Sequence, residues 1–464
     1  AAPTVAGETV YINEGHTVLA LNRLTGRQAW AYTDMARVDL VEGDEDAALD
    51  LSIVAVDGDS LVTLTGHAGQ TSRSNQGRVI CLDVASGRFR WAANLSGLGG
   101  EDTEALYPHG APVIAEGMVY VAARRVSPQL LTSAYVVALD LADGRVRWVQ
   151  YLTSSGGLRH SPRPYCTIAY KDGSVYVSSA VGATARLDAG TGQVRWLRRT
   201  NVPLSQSMLD QGRRPWEMTA PVITDRGVIS VQPDQRRVLL LDLETGDQLE
   251  SYPVNTSESW NSPRYVLADD HRVYAIGSEI RAFTLEALDH PLWRLPIAPK
   301  QDSPEAAEAA EPLELRGRVQ LVSSALKDAA VPGAAASALI VPNADGFQVV
   351  DSETGHVTHK LSVDSIGNPL AIDSQLIVAG GNRLDSYMSF NRAERMLRER
   401  MSQAPNDPEP ALSLLRLGIR VRNFALTMVP AGLASNAINS LGSQPDSVKK
   451  ADQTRAELFA LLLD

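Results

Sequence analysis

Short stretches in which hydrophobic and polar residues alternate follow one another along most of the chain. In residues 135–148, every second position up to Leu141 is apolar, and the alternation resumes towards Trp148 after a break at Asp143-Gly144. Alternation with a period of two is typical of a strand with one buried face. Asp-Gly favours a tight turn, because glycine accepts the positive φ that a primed hairpin turn needs. The stretch therefore predicts a β-hairpin.

This hairpin recurs along the chain. Its turn glycines lie 61, 57, 48, 54 and 109 residues apart, at Gly26, Gly87, Gly144, Gly192, Gly246 and Gly355. The last interval holds a degenerate copy at Asp289-His290, so the period is about fifty residues. A second pair of strand patterns precedes each copy, for example A-P-V-I-A-E-G-M-V-Y-V at 111–121. One repeat is thus four short antiparallel strands, called A to D below.

Four-stranded units at this spacing predict the blades of a β-propeller. An extended β-solenoid and a pair of sandwiches are the alternatives. Sandwich turns recur every 8–12 residues without a long-period signature, which favours the propeller.

The pattern x-L-D-x-x-T-G-x-x-x-W across strands C and D resembles the repeats of the pyrroloquinoline quinone (PQQ)-type propeller superfamily. Its members include quinoprotein dehydrogenases and the propeller lipoprotein of the bacterial outer-membrane β-barrel assembly machine. The resemblance covers about residues 1–388 and implies an eight-bladed, mainly β fold. It also implies that the Trp and Asp residues of the repeat dock neighbouring blades. These structural residues are Trp30, Asp83, Trp91, Asp140, Trp148, Asp188, Trp196 and Asp242.

Two stretches depart from the repeat. The eighth blade shows strand patterns A, B and C up to Met388 but no D. We expect residues upstream of the sequence to supply the missing strand, so that the sequence is a processed or partial form. The stretch at about 298–337 is rich in Ala, Glu and Pro around a strand-like core at Leu313–Ser323, and predicts a peripheral insertion.

From Ser389 the hydrophobic period changes to 3.6, which predicts an α-helical segment over 389–464. Asp407 is the expected N-cap of a second helix with Pro408 at its first position, and Val448–Leu463 is the expected last helix. The linker around Asp407 resembles a junction between tetratricopeptide repeats, which implies binding of peptides or proteins. About two such repeats fit, so the segment either caps the propeller or continues a solenoid.

Composition narrows the class of protein. The 43 basic and 54 acidic residues give a net charge of −11, which argues against nucleic acid as a main partner. No apolar run approaches the roughly 20 residues of a membrane helix. Cys81 and Cys166 lie in strand patterns of different blades, as two small buried hydrophobes would. Periplasmic or other extracytoplasmic residence is implied by the resemblance. An exported protein would then have lost its signal peptide before this numbering begins.

The sequence departs from what the resemblance implies for a quinoprotein dehydrogenase. Such an enzyme would carry an adjacent Cys-Cys pair, a Trp floor for the quinone and a Ca²⁺ site, whereas this sequence has no Cys-Cys pair. The acidic run 42–46 lacks the ligand order of an EF-hand loop and predicts a solvated loop. We therefore expect no catalytic residues, no cofactor and no metal.

The connections between strands differ in length on the two faces of the predicted propeller. The A–B and C–D turns are short, whereas the B–C and D–A connections are long, and function on rigid scaffolds concentrates in such loops.

Residues just before each strand A should line the mouth of the central channel. Aromatic and arginine side chains there predict a partner-binding site, because these types dominate binding hot spots. The alternative is that they plug the channel and stack between blades. The candidates are His109, Arg159, His160, Arg163, Arg213, Arg214, Trp216, Trp260, Asn261 and Arg264.

These observations favour a non-catalytic scaffold of the cell envelope. It would bind partner proteins, within a larger envelope complex, through the long-loop face and the helical tail. Peripheral association with a membrane is compatible with the pattern. The alternative function is a quinone- or metal-dependent oxidoreductase with its cofactor in the channel mouth.

Overall fold

The structure of the chain is a computed structural model. It describes residues 3–35, 53–66, 77–95, 98, 106–126, 131–156, 166–200, 220–232, 237–253, 265–277, 279–288, 290–297, 315–322, 337–343, 345–363, 367–372, 375–380, 383–423, 426–441 and 445–463.

Eight antiparallel sheets form the blades of a propeller, in which consecutive strands are neighbours. Blade 1 has β1 (Thr4–Ala6), β2 (Thr9–Asn13), β3 (Thr17–Asn22) and β4 (Gln28–Thr33). Blade 2 has β5 (Ala55–Asp57), β6 (Ser60–Thr65), β7 (Arg78–Asp83) and β8 (Phe89–Ala93). Blade 3 has β9 (Tyr107–Ala115), β10 (Met118–Val126), β11 (Thr132–Asp140) and β12 (Val146–Ser155). Blade 4 has β13 (Cys166–Lys171), β14 (Ser174–Ser179), β15 (Ala183–Asp188) and β16 (Val194–Arg199).

The second half of the ring repeats the plan. Blade 5 has β17 (Val222–Ile223), β18 (Val228–Val231), β19 (Arg237–Leu241) and β20 (Gln248–Pro253). Blade 6 has β21 (Tyr265–Ala268), β22 (Arg272–Ile276), β23 (Glu279–Thr284) and β24 (Trp293–Pro296). Blade 7 has β25 (Gln320–Val322), β26 (Ala338–Asn343), β27 (Gly346–Asp351) and β28 (Val357–Ser362). Blade 8 has β29 (Asn368–Ile372), β30 (Gln375–Ala379) and β31 (Leu384–Met388). The prediction of an eight-bladed propeller followed by helices is confirmed.

The hydrophobic core lies in the seams between blades. Strands B and C are the most buried, and their two faces pack against different neighbours. One face of blade 3, including Val137 and Leu139, packs with Trp91 of blade 2. The other face, including Val136, packs with Val177 of blade 4. Each blade is therefore stabilised mainly by the blades beside it.

The expected insertion needs one correction. Gln320–Val322, inside its strand-like core, forms β25 and pairs with β26 of blade 7. Leu315 and Val319 are buried in the cluster between blades 6 and 7. This part of the stretch therefore belongs to the propeller, although its Ala-, Glu- and Pro-rich surroundings suggested the periphery. Residues 298–314 and 323–336 lie outside the described part of the chain.

Ser386–Asp464 is the main part of a second compact unit. Its described helices are α1 (Phe390–Gln403), α2 (Glu409–Arg420), α3 (Met428–Ser440) and α4 (Pro445–Leu463). They share a core that includes Leu412, Leu415, Ala434, Ile438 and Leu458. None of these helices is both long enough and apolar enough to cross a bilayer.

Two details of the helical unit differ from expectation. Pro408 is the N-cap of α2, one residue later than predicted, and the Asp407 carboxylate accepts a 3.2 Å hydrogen bond from the Glu409 N–H instead. Helix α3 was not predicted. It contains no charged residue, so the contrast between a polar and an apolar face is weak.

Candidate functional site

Of the ten predicted partner-binding residues, His109 alone falls in the described part of the chain. The other nine lie outside it: Arg159, His160, Arg163, Arg213, Arg214, Trp216, Trp260, Asn261 and Arg264.

His109 lies on β9 and joins two blades. Its side chain is buried, and its Nε2 accepts a 3.0 Å hydrogen bond from the backbone N–H of Cys166 on β13. The Nδ1 atom lies 3.5 Å from the Tyr107 carbonyl, so the neutral ring carries its proton there. Burial, together with the charge of Arg124, lowers the pKa of His109 to about 3. His109 therefore packs between blades, as the alternative interpretation has it, and does not present its ring to a partner.

The repeated tryptophans act between blades. In the described part of the chain, each Trp of a strand D donates an indole hydrogen bond to a backbone carbonyl in the C–D turn of the following blade. Its ring also covers the glycine of that turn. The pairs are Trp30 with Val84 O (3.0 Å), Trp91 with Leu141 O (2.8 Å), Trp148 with Ala189 O (3.0 Å), Trp196 with Leu243 O (2.9 Å) and Trp293 with Ser352 O (3.1 Å). The covered glycines are Gly87, Gly144, Gly192, Gly246 and Gly355.

The repeated aspartates act within their own blade. Asp83 accepts hydrogen bonds from the Ser86 N–H (2.9 Å) and hydroxyl (2.6 Å), and pairs with Arg90 at 2.7 Å. These bonds lower the pKa of Asp83 to about 2. Asp140 and Asp188 make the same type of pair with an arginine seven residues later, and Asp242 accepts from the Glu244 and Thr245 N–H groups. The aspartates thus shape the turn on which the neighbour's tryptophan lies.

The seam between blades 5 and 6 is built differently. Glu250 occupies the Trp position of strand D, opposite Leu240. Arg226 donates instead to the Leu285 carbonyl at 2.5 Å, and Leu288 is buried at the turn. The rings of Tyr252 and Phe283 lie 4.6 Å apart in the same seam. Apolar and aromatic packing therefore replaces the indole here.

A buried polar network holds blades 1 and 2 together at the long-loop face. Asp34 is buried, accepts a 2.6 Å hydrogen bond from the Thr65 hydroxyl and pairs with Arg78, whose Nε lies 2.8 Å away. Asn13 donates to the Thr63 hydroxyl at 2.7 Å and to the Leu64 carbonyl at 2.7 Å. Long-range polar contacts thus fix the base of this face.

The strands of blade 3 extend further towards the long-loop face than the described strands of blade 2. Its strands have 9, 9, 9 and 10 residues, whereas the strands of blade 2 have 3, 6, 6 and 5. Both blades are aligned at the opposite face, where Met118 pairs with Asp140 and Ser60 with Asp83. The three extra residues of strands B and C therefore add about 10 Å of sheet at the long-loop end. We call residues 124–126, 131–135 and 151–155 the blade-3 extension.

Aromatic, apolar and cationic groups meet on the blade-3 extension. The rings of Tyr135 and Tyr151 lie 5.5 Å apart edge to face, and the Arg125 guanidinium lies 5.7 Å from the centre of the Tyr135 ring. Tyr151 is 47% exposed and Leu131 is 41% exposed. The Ser154 hydroxyl is 2.8 Å from the Tyr151 hydroxyl and 2.7 Å from that of Ser133, which holds the edge in one conformation. This is the candidate binding site.

Sequence reasoning missed these residues because it concentrated on positions before strand A. A usable signal was present. The alternation that reaches Trp148 continues without a charged residue through V-Q-Y-L-T-S-S at 149–155, well past the point where other D strands end.

The two cysteines do not form the pair that the resemblance to quinoprotein dehydrogenases implies. Cys81 and Cys166 are buried in blades 2 and 4, and burial raises the pKa of their thiols to about 11 and about 12. The adjacent cysteines that the resemblance calls for are not in the sequence. Within the described ranges, no three His, Cys, Asp or Glu residues come together as metal ligands would.

The chain is similar to a known family in sequence and to solved structures in fold. A family model described as the outer membrane protein assembly factor BamB matches residues 1–123, 46–196 and 132–382. No curated protein matches the chain in sequence.

The crystal structure of BamB from Moraxella catarrhalis is similar, with a TM-score of 0.51 at 17% identity, and the alignment covers 84% of this chain and 94% of that one. The quinohemoprotein alcohol dehydrogenase from Comamonas testosteroni has a TM-score of 0.53 at 13% identity, covering 82% and 70%. A europium-containing methanol dehydrogenase has a TM-score of 0.50 at 14% identity, covering 81% of each chain. At these identities the structural likeness concerns the fold alone.

Proposed function

The chain belongs to the family of the outer membrane protein assembly factor BamB, and from this premise we propose that it is a non-catalytic scaffold of the cell envelope. It binds partner proteins through the long-loop face of the propeller and through the helical unit, and it resides in the periplasm or another extracytoplasmic compartment. Family membership supports an envelope complex as the setting, since the family is described as an assembly factor.

The observation that carries the proposal is the blade-3 extension. It presents exposed Tyr151 and Leu131 beside Arg125, on a sheet made rigid by pairing along its full length. Tyrosine and arginine supply much contact energy at modest entropic cost, which is why they dominate the energetics of protein interfaces. A rigid sheet surface of this composition suits a protein partner.

The predicted channel-mouth residues extend this proposal. Arg159, His160, Arg163, Arg213, Arg214, Trp216, Trp260, Asn261 and Arg264 remain candidates for the same face, while His109 is withdrawn because its ring is buried between blades. In the helical unit, successive helices pack against each other and α2 also contacts α4, which supports a tetratricopeptide-like arrangement for partner binding.

Recovery of partners from native envelopes tests the proposal. The chain carrying Leu131→Ala and Tyr151→Ala should retain fewer co-purifying proteins than the unchanged chain. Val146→Ala with Leu249→Ala is the matched control, because these apolar residues are also exposed but lie near the C–D turns of blades 3 and 5. Equal retention by both double variants, with intact folds, would exclude the blade-3 extension as a binding site. Trp216→Ala with Trp260→Ala examines the channel mouth in the same assay.

A separate measurement decides between scaffold and oxidoreductase. An absorbance spectrum and metal analysis of the purified chain should show no stoichiometric quinone or Ca²⁺. Finding either in stoichiometric amount would overturn the non-catalytic assignment.

A further inference from the structure

The helical unit contains a long stretch without acidic residues. From position 410 to position 445 there is no Asp or Glu, although the whole chain carries 54 of them and a net charge of −11. The same stretch carries three arginines, at 416, 420 and 422. Arg416 pairs with Glu409 at 3.6 Å and with Glu457, so it belongs to the packing between α2 and α4. Arg420 and Arg422 are exposed, and neither makes an ion pair within the described ranges.

The backbone holds Arg422 in an unusual conformation for its residue type. Helix α2 ends at Arg420, with Val421 as its C-cap, in a Schellman motif. In this motif the Asn423 N–H donates to the Gly418 carbonyl (2.9 Å) and the Arg422 N–H to the Ile419 carbonyl (3.0 Å). Arg422 occupies the left-handed position of this motif, with φ of +54°. Glycine is the usual residue there, because any side chain adds strain. The fold therefore favours glycine at a position where the chain has an exposed cation.

Apolar side chains lie exposed at the same end of the α2–α3 pair. Met428 is 79% exposed, Val429 61% and Val421 44%. The Leu426 backbone packs on Gly418, where an added Cβ would lie 2.8 Å from the Leu426 carbonyl oxygen. This close approach brings the start of α3 next to the end of α2. We call Arg420, Val421, Arg422, Met428 and Val429 the basic–apolar tip.

We propose that the basic–apolar tip docks on the surface of an anionic lipid bilayer. The two guanidinium groups would pair with headgroup phosphates, while Met428 and Val429 enter the boundary between headgroups and acyl chains. Cations beside exposed aliphatic groups match that boundary, where charge and hydrocarbon lie within a few ångströms of each other.

The proposal adds a lipid contact to the scaffold function and does not depend on it. It also predicts how much each arginine contributes to membrane binding. A basic residue near an anionic membrane surface strengthens binding about five-fold, so removing Arg420 and Arg422 together should weaken it about thirty-fold. The attraction should also weaken with salt, because both charges are exposed.

Sedimentation with vesicles tests the proposal on the full chain. Vesicles of phosphatidylglycerol and phosphatidylcholine in equal parts should bind the chain, and vesicles of phosphatidylcholine alone should bind it much less. Arg422→Gly should weaken binding about five-fold. Because glycine suits the left-handed position, this variant keeps the α2 terminus intact and separates loss of charge from loss of fold. Met428→Glu with Val429→Glu should reduce binding at least about ten-fold, since a charge replaces each inserted side chain.

The matched control is Phe89→Glu with Leu249→Glu, which makes the same chemical change at exposed apolar positions of the propeller. It should leave vesicle binding unchanged. Failure to bind anionic vesicles, equal binding to both lipid compositions, or equal loss in the control would each overturn the proposal. Retention of co-purifying proteins is measured separately, so the lipid contact and the scaffold function can fail independently.

A site-specific label gives a second readout. Both native cysteines are buried, so Met428→Cys provides an accessible thiol for an environment-sensitive fluorophore. Its emission should shift to the blue on anionic vesicles and stay unchanged on phosphatidylcholine. The same label at Leu249→Cys should not shift with either. An unshifted label at position 428 in vesicle-bound protein would place another surface against the lipid and overturn the assignment of the tip.

Discussion

The indole of Trp148 in blade 3 lies directly on Gly192 in blade 4. An added Cβ at Gly192 would come within 2.6 Å of the ring, and the indole N–H donates to the Ala189 carbonyl of the same turn at 3.0 Å. Gly192 also has φ of +74°. The glycine is thus required twice, once by the turn and once by the neighbouring blade.

Gly192→Ala should destabilise the propeller by about 2–5 kcal/mol, because it adds left-handed strain and an overpacked contact. Gly117→Ala is the matched control. Gly117 has the same φ of +74° in blade 3, but an added Cβ there meets nothing within 4 Å. The control should cost only about 1 kcal/mol. Chemical denaturation of both variants measures the difference, and equal losses would show that the indole contact adds nothing.

Removing both partners of the buried ion pair between blades 1 and 2 should lower the free energy of unfolding less than removing one partner. Arg78→Met removes the guanidinium from the buried Asp34 carboxylate and should cost about 3–5 kcal/mol. Asp34→Asn with Arg78→Met removes the buried charge as well and should cost less than the single variant. Unfolding free energies of the three chains test this order. A double variant less stable than Arg78→Met would contradict it.

His109 should make stability depend on pH. Its pKa is about 3 in the folded chain against 6.5 for the unperturbed group. The unfolded chain therefore binds more protons, so the stabilisation is complete above pH 6.5 and is lost as the pH falls towards 3. Between pH 6.5 and pH 4.5 the loss should be about 2 kcal/mol, since one pKa unit corresponds to about 1.4 kcal/mol.

His109→Gln isolates this contribution. Glutamine can still accept the hydrogen bond from the Cys166 N–H but does not titrate. The free energy of unfolding of this variant should fall less steeply between the two pH values than that of the unchanged chain. Parallel pH profiles would mean that His109 is not the group responsible.

The thiols of Cys81 and Cys166 should be inert in the folded protein. Burial raises both pKa values, to about 11 and about 12, and thiolate is the reactive species. At pH 8, iodoacetamide should modify neither residue in the native chain and both after denaturation, as mass spectrometry would record. Modification of the native chain at a rate typical of a free thiol would contradict this, and would also rule out selective labelling at position 428.

Local patterns with a long-range repeat were enough to predict the architecture. The glycine spacing located the blades, and the change of period at Ser389 located the helical unit. Contacts between residues distant in sequence were not accessible in this way. Asp34 and Arg78 are 44 residues apart, and His109 and Cys166 are 57 apart. Nothing in the local sequence of either pair indicates that they meet.

Two errors have a common physical cause. The strand-like core at 313–323 is predicted to belong to a peripheral insertion because its surroundings are rich in Ala, Glu and Pro, yet Gln320–Val322 pairs with β26 as a strand of blade 7. Helix α3 was missed because its thirteen residues carry no charge to mark a solvent-facing side. In both places the tertiary contacts decide the outcome, and the local sequence does not show which neighbour a segment packs against. The blade-3 extension could have been predicted, because strand length and an uncharged alternation are visible in the sequence.

The contact between an indole and the next blade's glycine affects how a propeller can gain blades and how the sequences of its blades can diverge. Blades 2, 3 and 4 each carry a glycine that receives a tryptophan and a tryptophan that lies on the next blade's glycine, so a tandem duplication of such a blade copies both halves of the joint and fits between its neighbours at once. When one blade loses its tryptophan, only the blade that follows it is affected. Where blade 5 has Glu250 instead of tryptophan, the turn of blade 6 is freed from the requirement for glycine, and Leu288 is buried there. Loss of a tryptophan thus relaxes selection on the following blade and leaves the preceding one unchanged.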